Sequence, residues 1–283
     1  MGELLMIGAI IGDIVGSRFE FIEDEYRDKN FIFFGYGCVP TDDSFMTLAV
    51  AKALVLAKGD RQKLKDNIVF CMKSVAKDHP NTGWGERFYQ WLFKEPNFQQ
   101  YNSYGNGAGM RISPVGWVVD SEEEVKELSK IITEVSHNHP EGLKGAEAIA
   151  MAVYLARIGK TKEEIRSRMQ EYYPQLCDAD FKIDKIHGHY GYDPYGDWVT
   201  CQGSVPHAIV AFLDSVNFED AIRNAVCIGG DSDTIGAMAG SIAEAYFGVS
   251  PELEEKALSY LSADLKGIYY AFDAIRKKRT SLH

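Results

Sequence analysis

Gly8-Ala9-Ile10-Ile11-Gly12-Asp13-Ile14-Val15-Gly16 sets a glycine at every fourth position of an apolar run, and Gly236-Ala237-Met238-Ala239-Gly240 repeats the spacing far along the chain. Residues four apart share one face of a helix. Glycine in a helix interior costs about 1 kcal/mol against alanine, so these positions want a reason, and close approach of two backbones supplies one. A G-x-x-x-G face is a common device of membrane helices, but neither segment is long or apolar enough to span a bilayer. The reading therefore packs the two helices against each other at the centre of the domain.

Outward from that pair, helical periodicity dominates. The pattern predicts helices over roughly 42–58, 62–77, 140–158, 203–214, 217–227, 232–247 and 264–277. Ser121-Glu122-Glu123-Glu124 and Thr161-Lys162-Glu163-Glu164 read as capping boxes, and Ser250-Pro251 as a cap with proline at the first helical position. Strand-like alternation is scarce. No repeat, low-complexity tract or Pro/Ser-rich linker divides the chain. The expectation is one compact all-α domain over 1–283. Two stretches fall outside it: Glu20 to Pro40, and a polar-aromatic loop from Asp184 to Thr200, of a length often tied to function.

At 283 residues and 46% hydrophobic, the chain can bury a large core. Its net charge of −11 argues against general nucleic-acid binding and against anionic membranes, which select basic patches. The five cysteines show no C-x-x-C spacing; reduced, mostly buried thiols in a cytoplasmic protein are expected. The apolar stretch Leu4 to Ile11 is too short for a span and lacks a basic flank, so neither a membrane anchor nor a signal peptide is expected.

Two acidic clusters carry the chemistry: Thr41-Asp42-Asp43-Ser44, and Gly229-Gly230-Asp231-Ser232-Asp233-Thr234. Each holds paired carboxylates beside hydroxyls and opens a helical run. Each alone reads equally well as a helix cap. Together they exceed what capping needs, and carboxylates crowded into one place need cations to stay ionised. An all-oxygen donor set suits Mg²⁺, Mn²⁺ or Ca²⁺ rather than zinc. Gly105-Asn106-Gly107-Ala108-Gly109-Met110-Arg111 is a glycine-rich turn ending in a cation. It suits an anion, though it is neither a Walker A loop nor a dinucleotide fingerprint. Asp13, out of pattern in its apolar helix, reads as a cap for a neighbouring turn at least as well as a ligand. Glu20 is a ligand or a solvated loop residue. His137-Asn138-His139 and His187-Gly188-His189 lack further zinc ligands and stay ambiguous. No G-x-S-x-G or catalytic-cysteine motif is present. Trp84, Tyr101, Tyr104 and Tyr190 have rings that could stack on a base.

The ordered set Gly12-Asp13-x-x-Gly16 with Glu20, Thr41-Asp42-Asp43-Ser44, Gly105 to Arg111, Ser136-His137 and Gly229-Gly230-Asp231-x-Asp233-Thr234 resembles the ADP-ribosylglycohydrolase family over nearly the whole chain. The resemblance implies an all-α hydrolase that cleaves the glycosidic bond between ADP-ribose and an acceptor on a protein or small conjugate. It implies two Mg²⁺ or Mn²⁺ ions held by Thr41, Asp42, Asp43, Asp231, Asp233 and Thr234. By the same resemblance, Asp42, Asp43, Asp231, Asp233 and Glu20 are the catalytic carboxylates, one of them taking the proton of the attacking water. Gly105, Asn106, Gly107, Ala108, Gly109, Met110, Arg111 and His137 would bind the ADP-ribose moiety. Two departures stand out. Gly109 replaces an alanine common in the family, and Thr200 to His207 differs from the versions in arginine- and serine-directed enzymes, which leaves the acceptor open. Two other readings use the same residues: an idle ADP-ribose binder, and a Mg²⁺-dependent phosphohydrolase of nucleotide diphosphates.

Overall fold

The computed structural model describes residues 6–20, 28–97, 99–186 and 197–280. The chain is all-α, without strands among the described residues; a lone bridge joins Gly105 to Thr200. The first helices are α1 (Gly8–Ser17), α2 (Asp42–Ala57), α3 (Arg61–Ala76), α4 (Glu86–Phe93), α5 (Gly107–Met110), α6 (Ser113–Val118) and α7 (Glu122–Thr133). They are followed by α8 (Pro140–Arg157), α9 (Lys162–Met169), α10 (Ile183–Ile186), α11 (Cys201–Leu213), α12 (Phe218–Ile228), α13 (Ser232–Phe247), α14 (Pro251–Ser259) and α15 (Ala263–Thr280). The helices read from periodicity agree with these within a few residues at each end. The short α5 and α6 carry no such signal, and α4, with Phe88, Trp91 and Leu92 on one face, is too short to stand out. Among the described residues no helix is long and apolar enough to cross a membrane.

α13 is the axis of the fold. Every residue from Ser232 to Ala245 is buried, and the helix packs on α1, α12, α11 and α8. A helix covered on all sides reads as apolar and small all round, as this one does. Its closest partner is α1, itself buried from Gly8 to Gly16. A Cβ on Gly12 would lie 2.0 Å from the Gly236 carbonyl oxygen, and one on Gly8 2.3 Å from that of Gly240. The reverse holds too: Cβ atoms on Gly236 and Gly240 would meet the Gly12 and Gly8 oxygens at 2.7 and 2.3 Å. The obstruction is backbone, which cannot swing aside as a side chain can.

Helix starts are satisfied in two ways. Most cap themselves. Ser121 Oγ accepts from the Glu124 N–H, and Thr161 forms a complete capping box with Glu164. Ser250, Asn217 and Thr200 cap α14, α12 and α11. α1 and α2 are capped from outside instead. Glu244 of α13, buried at the far end of the α1 contact, accepts the Ile7 N–H at 2.9 Å and the Gly8 N–H at 2.5 Å. Asp13 of α1 accepts four hydrogen bonds at the start of α2, from Thr41 N (2.9 Å), Thr41 Oγ1 (2.7 Å), Ser44 N (3.0 Å) and Ser44 Oγ. The capping alternative for Asp13 is therefore what the fold uses.

The glycine contact gives a direct expectation. Gly240→Leu should lower stability by about 3 kcal/mol or more through overpacking, seen as a drop in the urea midpoint. Gly267→Ala, on an exposed helical position with nothing within 4 Å of the new Cβ, should instead raise stability by up to about 1 kcal/mol.

Candidate active site

The α1–α13 contact fixes where the two acidic clusters meet. At its end, Gly16 lies against Asp233, whose Cα would be 2.5 Å from an added Cβ. One turn away on α1, Asp13 holds the start of α2. The N-termini of α2 and α13 are thus presented to each other. Thr234 Oγ1 donates to Asp43 Oδ2 at 3.2 Å, directly linking the clusters. Carboxylate oxygens of Asp13, Asp43 and Asp233 gather within 4.8 Å of one another, as do those of Glu20, Asp231 and Asp233. Asp233 belongs to both groups.

The contrast with ordinary helix starts is chemical. Thr41 and Asp231 occupy N-cap positions, yet neither side chain makes a capping bond. Thr41 Oγ1 is turned to Asp13 and lies 3.4 Å from Asp43 Oδ2. Asp231 Oδ2 accepts from Asn106 Nδ2 at 2.7 Å. Asp43 Oδ1 is buried without a hydrogen-bond partner among the described residues. An orphaned anionic oxygen in a dry site is costly unless something positive binds it.

Among the described residues no cationic side chain sits between these groups, and their acidities show it. Burial, then neighbouring carboxylates, pushes Asp42, Asp43 and Asp233 well above the usual range. Burial raises Asp13 to about 6 against the pull of its hydrogen bonds from Ser44 and Thr41. Half-buried Glu20 rises to about 7, through burial and the charges of Asp231 and Asp13. The donor set is all oxygen, negative, preformed and short of positive charge. It fits hard divalent cations.

The clusters form one wall of a cleft of about 360 Å³. Glu20, Asp42, Asp43, Asp231, Asp233 and Thr234 line it together with Gly105, Asn106, Gly107, Met110, Arg111 and His137. The glycine-rich turn is sewn to the chain before α11: Asn106 N donates to Val199 O at 2.9 Å, Asn106 Nδ2 to Trp198 O at 3.1 Å, and Cys201 N to Tyr104 O at 2.9 Å. Of the backbone amides from Gly105 to Gly109, those of residues 105, 106, 108 and 109 are engaged within the protein. The Gly107 N–H, at the first position of α5, has no partner among the described residues. Ala108 and Gly109 face the core. A Cβ at 109 would lie 2.8 Å from Met238 Sδ, so methionine on α13 explains the glycine there. Arg111 is fully buried; it holds Ser136 Oγ at 2.9 Å and lies beneath Phe88 with its guanidinium carbon 5.3 Å from the ring.

The ADP-ribosylglycohydrolase family model matches residues 5–277. The chain belongs to that family. It is a hydrolase of the glycosyl-bond class. It is 25% identical to ADP-ribosylhydrolase ARH3 of Gallus gallus over 98% of this chain and 91% of that protein, and 26% identical to the Homo sapiens form over 74% and 71%. An ADP-ribosylarginine hydrolase, Tri1 of Pseudomonas putida, is 27% identical over 89% of this chain and 72% of its own. The fold is shared with an ADP-ribosylglycohydrolase-related protein complex, TM-score 0.68 at 20% identity over 96% of each chain.

Of the ambiguous histidines, His137 lies in the cleft and His139 caps α8, its Nδ1 accepting the Glu141 N–H at 3.1 Å. His187, His189 and Tyr190 fall outside the described residues. Tyr104 is half-exposed beside His139, ring centroids 5.2 Å apart. Tyr101 lines the cleft under Arg87, 4.9 Å from its ring centroid. Sequence reasoning did not single out Phe88, Arg87 or Val199, which also line it; they belong to no motif, and only the hydrophobic pattern of α4 hints at the first.

The external cap is testable. Asp13→Ala removes both acceptor oxygens and leaves the Thr41 and Ser44 amide N–H groups at the start of α2 without their partner. It should cost about 2–3 kcal/mol of stability, read from the urea midpoint.

Proposed function

We propose that this cleft hydrolyses the glycosidic bond between ADP-ribose and its acceptor, with two Mg²⁺ or Mn²⁺ ions held by Thr41, Asp42, Asp43, Asp231, Asp233 and Thr234. The supporting observation is the meeting of two self-neglecting helix starts around an orphaned Asp43 oxygen, next to a wall built for an anion. Bound divalent ions would supply positive charge that orients the ribose hydroxyls and acidifies a water.

The chain's own groups do the rest. Asn106, bonded to Asp231, fixes that carboxylate and ties the acidic wall to the glycine-rich turn. Glu20 is only half-buried, faces the cleft, and its carboxylate accepts no hydrogen bond from the described residues. It is the group placed to take the proton of an attacking water. The water oxygen bonds to C1″ as the C1″–acceptor bond breaks, its electrons going to the acceptor atom, which takes up a proton in exchange for the one Glu20 removes. The Gly107 N–H and His137 meet the diphosphate. Arg111, buried in the lining of that side of the cleft, contributes its positive charge there.

The assay incubates the protein with ADP-ribosylated arginine and serine peptides, with Mg²⁺ and with EDTA. Free ADP-ribose should appear with Mg²⁺ and vanish with EDTA. Absence of ADP-ribose release under every condition would remove the enzyme reading, and AMP as product would point to a phosphohydrolase. Asp231→Asn and Asp233→Asn should each abolish release. Mg²⁺ at about a hundred times its Kd should stabilise the wild type by about 2.7 kcal/mol, a shift in melting temperature that both variants lose.

A further inference from the structure

Arg111, Ser136 and His137 form a buried polar chain behind the cleft. Arg111 Nη2 donates to Ser136 Oγ at 2.9 Å and lies 3.4 Å from His137 Nδ1. Ser136 Oγ lies 2.8 Å from the same nitrogen. A guanidinium only donates. Its contact makes Ser136 Oγ an acceptor on that side, and with no other acceptor for it among the described residues the buried hydroxyl hydrogen goes to His137. Both neighbours of Nδ1 therefore offer hydrogens, and Nδ1 must accept. The ring proton belongs on Nε2.

Nε2 points the other way. A Cβ on Gly107 would lie 3.3 Å from it and one on Gly105 3.6 Å, so the two glycines leave it open to the cleft side of the turn. No described residue bonds to it. The groups facing the imidazole are the Arg111 and Arg87 cations, the Phe88 ring at 6.0 Å and the Tyr101 ring at 6.1 Å. None is an acid. Burial first, then those cations, holds the ring well below its ordinary 6.5. Arg111 itself is pushed down to about 10 by burial, and so remains charged at neutral pH. It has no ion-pair partner among the described residues, and its Nε and Nη1 make no hydrogen bond.

We propose that Ser136 and Arg111 are positioning residues that hold His137 as a neutral imidazole offering its Nε2–H to an anionic oxygen of the substrate. The identity of that oxygen, a diphosphate oxygen of ADP-ribose, rests on the function proposed above; the proton arrangement does not. The device answers a physical problem. A histidine that charged and discharged near pH 6.5 would make substrate binding vary with pH. Here the positive charge sits one residue back, on a group that does not titrate in that range, and attracts an anion across a low-dielectric wall. The contacting donor stays neutral and fixed.

The test is nitrogen-15 NMR of the imidazoles of the full chain, with the His137 signals assigned by their loss in His137→Gln. At neutral pH the wild type should show protonated Nε2 and unprotonated Nδ1; a Nδ1–H tautomer or an imidazolium would overturn the proposal. Inorganic pyrophosphate, added to metal-free protein, should shift the Nε2 signal, and no shift would overturn the anion contact. Ser136→Ala should mix the tautomers and weaken ADP-ribose binding about tenfold while leaving the Mg²⁺-induced melting shift intact. Ser136→Thr, which keeps the hydroxyl, should restore both. A Ser136→Ala protein with one tautomer and full affinity would refute the relay. If that variant does not fold, the wild-type tautomer and the pyrophosphate response decide alone. Should the wild type bind pyrophosphate at His137 but not ADP-ribose, the substrate reading fails and the relay stands.

Discussion

Everything in this structure depends on two backbones touching. α1 and α13 approach so closely that carbonyl oxygens occupy the space where Cβ atoms would be. Close-packed interiors do not deform continuously, so this contact has one register. That register carries Asp13 and Gly16 to the start of α13, and with them the start of α2. The position of each site carboxylate is inherited from a line of glycines that does no chemistry.

The contact also explains an exchange of labour between helices. A helix start needs acceptors for its first N–H groups. α12, α14 and α9 supply them from their own N-cap residues. α1 takes them from Glu244 on α13, and α2 takes them from Asp13 on α1. Because Asp13 does the capping, Asp42 and Asp43 are released from it and face the cleft. The helix dipole at these starts opposes a cation, and the density of carboxylates is what outweighs it. Two buried acids thus act structurally so that the neighbouring ones can be left unpaired.

The opposite wall inverts the charge. Its single buried cation, Arg111, stands behind Ser136 and His137 with no acid beside it. In the proposed function, the anionic middle of the ligand would meet the His137 side and its hydroxyls the acidic side. Asn106 bridges the two walls by bonding Asp231 and the chain at Trp198 at once, so the walls are held as one unit.

Much of this was legible in the chain. The glycine spacing fixed the central helix pair, because only backbone contact rewards five glycines in helices. Paired aspartates beside hydroxyls marked the site, because a cap uses one carboxylate and these segments hold two. Periodicity placed the long helices, because an apolar stripe of 3.6-residue period records which face is buried. Only the tertiary structure showed Asp13 capping α2, since the donors it serves lie far from it in the chain. It also showed Arg111 buried against Ser136 and Phe88, and made Gly109 intelligible through Met238. Sequence records which residues are available; the distance between residues far apart in the chain is set by packing, and there the roles were decided.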